Sequence, residues 1–208
     1  MQQVLKFSEV EQAPRMAFAD YAYPSSPKGW NKLVLVGEAP GAEEARLGRP
    51  FVGRSGQLLD KMLQQAGIER ECCLIANVFR YQPPANKIDH FFASRRAAAT
   101  GGFAIDENLG KFGSFYCRAE FAGEIAHLSK ILTEQKPSCI IALGRTPLWA
   151  LTGENGLLDK VGKQLPGRLF SGAPVLPTYH PSFILRGNWK LQDQWLSHFQ
   201  AAKAKNQG

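Results

Sequence analysis

The chain has 208 residues, which suits one large domain better than two, given that domains typically run to ~100–200 residues. Hydrophobic residues make up 44% and charged residues 21%, which excludes chain-wide disorder, collagen and solenoid repeats. A net charge of +7 favours polyanionic partners through counterion release at phosphates, and no apolar run reaches the ~18 residues of a membrane-spanning helix.

The N-terminal segment MQQVLKFSEVEQAPRM has no basic region followed by an apolar stretch, so it lacks the layout of a secretory signal and a cytoplasmic protein is expected. Residues 1–30 end in a Pro/Ser/Gly cluster and read as a loop or loosely docked arm. Leu33, Leu35 and the two valines between and after them form a continuous apolar run closed by Gly37, as in a strand buried on both faces of a parallel sheet. After GRPFVGRSG, Leu58, Leu59, Met62, Leu63 and Ala66 share one face of an amphipathic helix that stops at Gly67. A second strand covers 73–78 and is halted by Pro83 and Pro84.

Residues 85–117 break the rhythm: clustered aromatics, a Gly101-Gly102 pair and no sustained period describe a long structureless insert, which is unusual unless functional. A helix then covers 119–135, a third buried strand ends at Gly144, and TPLWALTG makes a short helix. RLF and PVLPT are two short strand candidates joined by a turn at Ser171-Gly172, and a terminal helix runs over 189–203. Alternating strands and helices predict a single α/β domain over 1–208, a three-layer α/β/α sandwich around a mostly parallel four-stranded sheet. Four cysteines, Cys72, Cys73, Cys117 and Cys139, include no C-x-x-C pair and read as reduced, structural thiols.

Three segments follow the C-terminal ends of predicted strands, where open α/β sheets place a ligand crevice: GEAPGAEEARLGRPFVG, the Asn77 strand end, and YHPSFILRG. These residues resemble the uracil-DNA glycosylase superfamily, most closely its family 4, over most of 32–187 apart from the insert. The resemblance implies hydrolysis of the N-glycosidic bond of uracil, or a related pyrimidine, in DNA. Such an enzyme must take the base out of the stack, hold its edge and ring, and stabilise the charge that develops as the bond breaks.

The resemblance places Glu38 as the water-orienting or pocket-shaping carboxylate, on a loop whose Gly37, Ala39, Pro40 and Gly41 let the backbone approach the base. Glu43 and Glu44 read as solvated acids near a helix start. Phe51 has the chemistry to stack on a flipped pyrimidine, and Asn77 offers a donor and an acceptor to the uracil edge. His180 is placed to donate to uracil O2 as the base departs. Beyond it, Pro181 and Ser182 lead to an apolar wedge of Phe183, Ile184 and Leu185 for the vacated space, with Arg186 meeting phosphate. His127 and His198 read as structural. No lysine lies in these motifs, so the expected product is an intact abasic site without strand cleavage.

Family 4 members typically hold an iron-sulfur cluster on four cysteines. Here the first pair is absent, Tyr81 stands where the third would be, and Cys117 lies near but not at the fourth position. No metal or cofactor is therefore expected, with the arm or the insert replacing the cluster. The expected partner is DNA, single- or double-stranded, met by a monomer. Two other readings of the scaffold are a DNA-binding module with little hydrolysis, and a glycosylase for a bulkier modified pyrimidine, for which the insert is the cue. Cations and aromatics interleave in that insert, which suits a surface that tracks phosphates and stacks unpaired bases, or a small satellite core. One branch of the superfamily has an insert here whose histidine becomes cross-linked to DNA. His90 sits in KIDHFF without that branch's basic cluster, and a loop histidine is ordinarily inert.

Overall fold

A computed structural model describes residues 16–205, so the first half of the expected arm lies outside the described residues. In chain order the elements are β1 (Leu33–Gly37), α1 (Ala42–Leu47), α2 (Arg54–Gln65), β2 (Leu74–Asn77), β3 (Phe92–Ala93), α3 (Arg95–Gly101), β4 (Ile105–Phe112) and β5 (Phe115–Arg118). They continue with α4 (Ala122–Gln135), β6 (Cys139–Leu143), α5 (Arg145–Thr152), β7 (Leu165–Pro166), β8 (Pro174–Thr178), α6 (Pro181–Leu185) and α7 (Gln192–Lys205).

The main sheet has the order β2-β1-β6-β8-β7. Its first four strands are mutually parallel, as expected, and β7 adds a two-residue antiparallel edge, making five. Side chains alternate across it. Val34, Val36, Leu74, Ala76, Ile140 and Ala142 pack with α4 and α5, while Leu33, Leu35, Ile75, Ile141 and Leu176 pack with α2 and α7. Every residue of β1 and β6 is buried, which is why both read as unbroken apolar runs. At the end of α2, Gly67 adopts a left-handed φ of 66° and Ile68 N–H returns to Leu63 O at 2.8 Å, so the glycine terminates the helix as its position predicts.

Three sequence expectations need correction. The insert is not structureless: β3, β5 and β4 form a second, antiparallel sheet, and Ser94 caps α3 by accepting Ala97 N–H at 3.1 Å. Its period was hidden by a register shift between Asp106 and Lys111, where Gly110 takes a φ of 72° and breaks the in-out alternation. Phe91, Phe92, Phe112 and Cys117 join the main core, with Phe79 and Phe91 stacked at 4.1 Å. RLF is a bend instead of a strand: the Arg168 backbone N–H donates to Leu151 O at 2.7 Å, and its guanidinium donates to Ala150 O and Leu109 O. Helix α7 begins at Gln192, after a single 3₁₀ turn at Trp189–Leu191.

The described part of the arm is docked along β2. Ala22 and Ile75 exchange two backbone hydrogen bonds of 2.9 Å, and Phe18 bridges to Tyr81, so the exposed edge of β2 is covered. No helix among the described residues is long and apolar enough to cross a membrane.

Candidate active site

The chain leaves β1 for β2 on one side and returns to β6 on the other, so the strand order reverses between β1 and β6. That reversal opens a crevice at the C-terminal ends of the strands. A cavity of about 350 Å³ lies there, lined among others by Glu38, Phe51, Asn77, His180, Ser182 and Arg186. Residues separated by more than a hundred positions are thus brought together by the parallel register, in which Gly37 sits beside Asn77.

Gly37 is the pivot. A Cβ there would fall 2.4 Å from Asn77 Oδ1 and 2.5 Å from Phe51 Cζ, so the ring and the amide close on a position only glycine can occupy. Phe51 itself has a φ of 53°, a left-handed conformation costly for a bulky residue. The turn is held by Gly56, whose missing Cβ leaves room for Phe51 O, and by Arg70, which donates to Pro50 O at 3.0 Å. The Phe51 ring is 5% exposed and lies 5.9 Å from the His180 ring.

His180 caps α6, with Pro181 at the first helical position. Ser182 N–H donates to His180 Nδ1 at 3.1 Å, and the Ser182 hydroxyl lies 2.8 Å from the same nitrogen. A ring nitrogen that accepts carries no proton, so the neutral imidazole bears its hydrogen on Nε2. Arg186 donates to Ser182 Oγ at 3.1 Å and steadies the arrangement. Burial, helped by the Arg186 charge, pushes the His180 pKa down to about 4 and keeps the ring neutral near pH 7.

Glu38 spans the crevice. It accepts a hydrogen bond from the hydroxyl of Thr146 in α5, which joins the loop after β1 to the helix after β6. Burial pushes its pKa up, against the Thr146 hydrogen bond and the Arg145 and Arg186 charges, while Asp89 adds to the rise. Its loop is anchored by Val78 N–H to Gly37 O and Phe79 N–H to Glu38 O, at 3.0 and 3.1 Å.

The sequence reasoning missed several contributors. Glu44 is not merely a solvated acid: its carboxylate accepts Gly53 N–H and lines the cavity. Thr146, Ser55 and Asn86 carried no motif, although Thr146 lies two residues beyond the strand-ending Gly144. The wedge also needs correction. Pro181 is buried, Ile184 is 0% exposed in the core beneath α6, and Phe183 stacks on Tyr179 at 5.6 Å, because the segment is a helical turn with a buried face. Leu185 is half-buried and only Arg186 is fully exposed. His90 packs its ring against Phe91 and Phe121 and is not among the residues lining the cavity.

The cysteines do not fit a four-thiolate cluster. Cys73 and Cys139 pack on one face of the sheet and Cys117 on the other. Among the described residues no group of three or more His, Cys, Asp or Glu could hold a metal ion. At Tyr81 the space is filled by the Phe18 ring at 5.4 Å, and beside it Arg80 donates twice at 2.9 Å to Glu124.

The sequence profile described as "Uracil DNA glycosylase superfamily" matches residues 27–202. A type-4 uracil-DNA glycosylase of Thermotoga maritima is 35% identical over 156 residues, covering 74% of this chain and 67% of its own. One from Archaeoglobus fulgidus is 48% identical over 175 residues, covering 81% and 74%. One from Pyrobaculum aerophilum is 31% identical over 183 residues, covering 85% and 79%.

Proposed function

The chain belongs to the uracil DNA glycosylase superfamily, and from that membership we propose that it hydrolyses the N-glycosidic bond of uracil in DNA, acting as a monomer on a base flipped out of the stack. The observation that carries the reading is the convergence of a ring and an amide edge on Gly37, with a neutral histidine donor and a half-buried carboxylate lining the same cavity.

The flipped uracil lies against the Phe51 ring, while Asn77 donates to O4 and accepts from N3–H. Cytosine presents the opposite pattern at those two atoms and pairs poorly. As the C1′–N1 bond lengthens, negative charge grows on the base, and His180 Nε2–H donates to O2. A neutral donor suits this step, since its hydrogen bond strengthens as the charge develops. Glu38 orients the water that adds to C1′ of the sugar, accepting a proton from it, and the pyrimidine leaves. Among the described residues no lysine lines the cavity, so no Schiff base forms and the DNA strand stays intact. Arg186 and the +7 charge hold the phosphates.

The test is an end-labelled oligonucleotide with one uracil, treated with the protein and then with alkali. Cleavage at uracil after alkali, and none at cytosine or thymine, is expected. Tight binding without any release would instead make the chain a DNA-binding module.

A further inference from the structure

A second cavity of about 370 Å³ meets Glu38 from the side of the insert. Apart from Glu38 and Arg145, every described residue of its wall comes from 85–117. Three of them and Arg145 carry chemistry that the proposed hydrolysis does not use. Phe115, at the β4–β5 turn, keeps a large ring 47% exposed to water. Arg145 is exposed, lies 5.3 Å from the Phe112 ring and has no ion pair among the described residues. Asp89, likewise exposed and without an ion pair among them, is an acceptor only, and Ser114 adds a hydroxyl at the turn.

A ring, a guanidinium and a carboxylate, the last two without an ion pair among the described residues, surround one space and match three features of a nucleotide: a base to stack, a phosphate to pair and an exocyclic amine to donate. Resting on the glycosylase reading, we infer that this cavity receives the nucleotide next to the flipped uracil on the same strand. Glu38 touches both cavities, so the two occupants are adjacent along the chain of the DNA. Because Asp89 only accepts, the subsite favours a neighbour that presents an exocyclic amino group, as adenine, cytosine and guanine do, over thymine. The insert thereby gives the enzyme a sequence context.

The experiment measures single-turnover excision from single-stranded oligonucleotides in which each of the four bases is placed 5′, and separately 3′, of the uracil. On one side only, the three amino-bearing bases are expected to exceed thymine by about five- to ten-fold, the scale of one base-edge contact. F115A should lower excision by a similar factor, and its difference from wild type should vanish when that neighbour is an abasic spacer. D89N, which can donate as well as accept, should bring thymine level with the amino-bearing bases. Both side chains are exposed, so melting curves should match wild type.

Rates indifferent to both neighbours, or variants that keep the wild-type preference, would overturn the inference while leaving the glycosylase intact. The same holds if F115A changes only the ranking of 5-substituted uracils, which would assign the cavity to the target base. No release from any oligonucleotide would overturn the glycosylase reading itself, and the subsite with it.

Discussion

Replacing His180 by alanine separates the chemical role of the ring from its cost to the fold. At neutral pH the variant loses one donor aimed at the departing base, worth ~3–4 kcal/mol of barrier, so excision should fall by roughly 10²–10³ with little change in DNA affinity. Stability should respond differently. The pKa of the ring is 6.5 in an ordinary setting and about 4 here, so between those values the unfolded chain binds a proton that the folded chain refuses. Stability therefore rises with pH across that window and is lost as pH falls from about 6.5 toward about 4. The loss is at most ~3 kcal/mol, and less in practice because water reaches part of the ring. The variant has no ring to protonate and should shed this acid sensitivity. Urea unfolding near pH 7.5 and near pH 4.5, beside single-turnover excision, reads both effects. Equal turnover in the two proteins would refute the donor role, and a stability gap that does not change with pH would refute the buried neutral histidine.

Three further outcomes follow from the same geometry. Glu38→Gln should lower excision and remove the acid limb of the pH–rate profile, a limb placed above the ordinary carboxylate range because burial raises the Glu38 pKa; a profile identical in shape to wild type would clear Glu38 of the role. Asn77→Ala should cut uracil excision while circular dichroism and melting stay near wild type, whereas unfolding would make Asn77 a structural residue. Glu124→Ala leaves the half-buried Arg80 without its main partner and should destabilise by roughly 3–5 kcal/mol in urea titrations, with excision by the folded fraction retained; a change under 1 kcal/mol, the range of an exposed pair, would contradict the burial of this contact.

How legible each part was depended on whether its physical signal was local. Strands β1 and β6 were readable because both faces are buried and their residues are apolar without interruption. Helix α2 was readable because its buried stripe recurs at helical spacing and ends at a glycine with a left-handed φ. The insert was not, because the register of β4 shifts near Gly110 and its exposed positions include Glu107, Asn108 and Lys111, so neither the period nor the composition of a strand survives. Ile184 was misjudged for a related reason. HPSFIL looks like an apolar loop tip when read as a string, but Pro181 and the His180 cap start a helix, and a helical turn sends one side chain in four inward.

The site separates in the same way. Gly37, Glu38, Phe51, Asn77 and His180 lie within motifs, and their meeting follows from the parallel register of β1 with β2 and β6, and of β6 with β8. Thr146 and Arg145 could not be found that way. They depend on α5 starting beside the loop after β1, a relation visible only once the strand order reverses in space. At Tyr81, where the resemblance would place a third cysteine, the structure shows which side chains pack around the position. Phe18 and Tyr81 supply an aromatic contact, and Arg80 links the arm to α4 by pairing with both Asp20 and Glu124. A four-cysteine cluster ties distant segments through metal bonds, whereas an ion pair and two rings tie them through contacts that one substitution can remove. On that argument the docking of the arm, which covers the edge of β2 and holds Arg80 two residues beyond Val78, is coupled to the strand that presents Asn77.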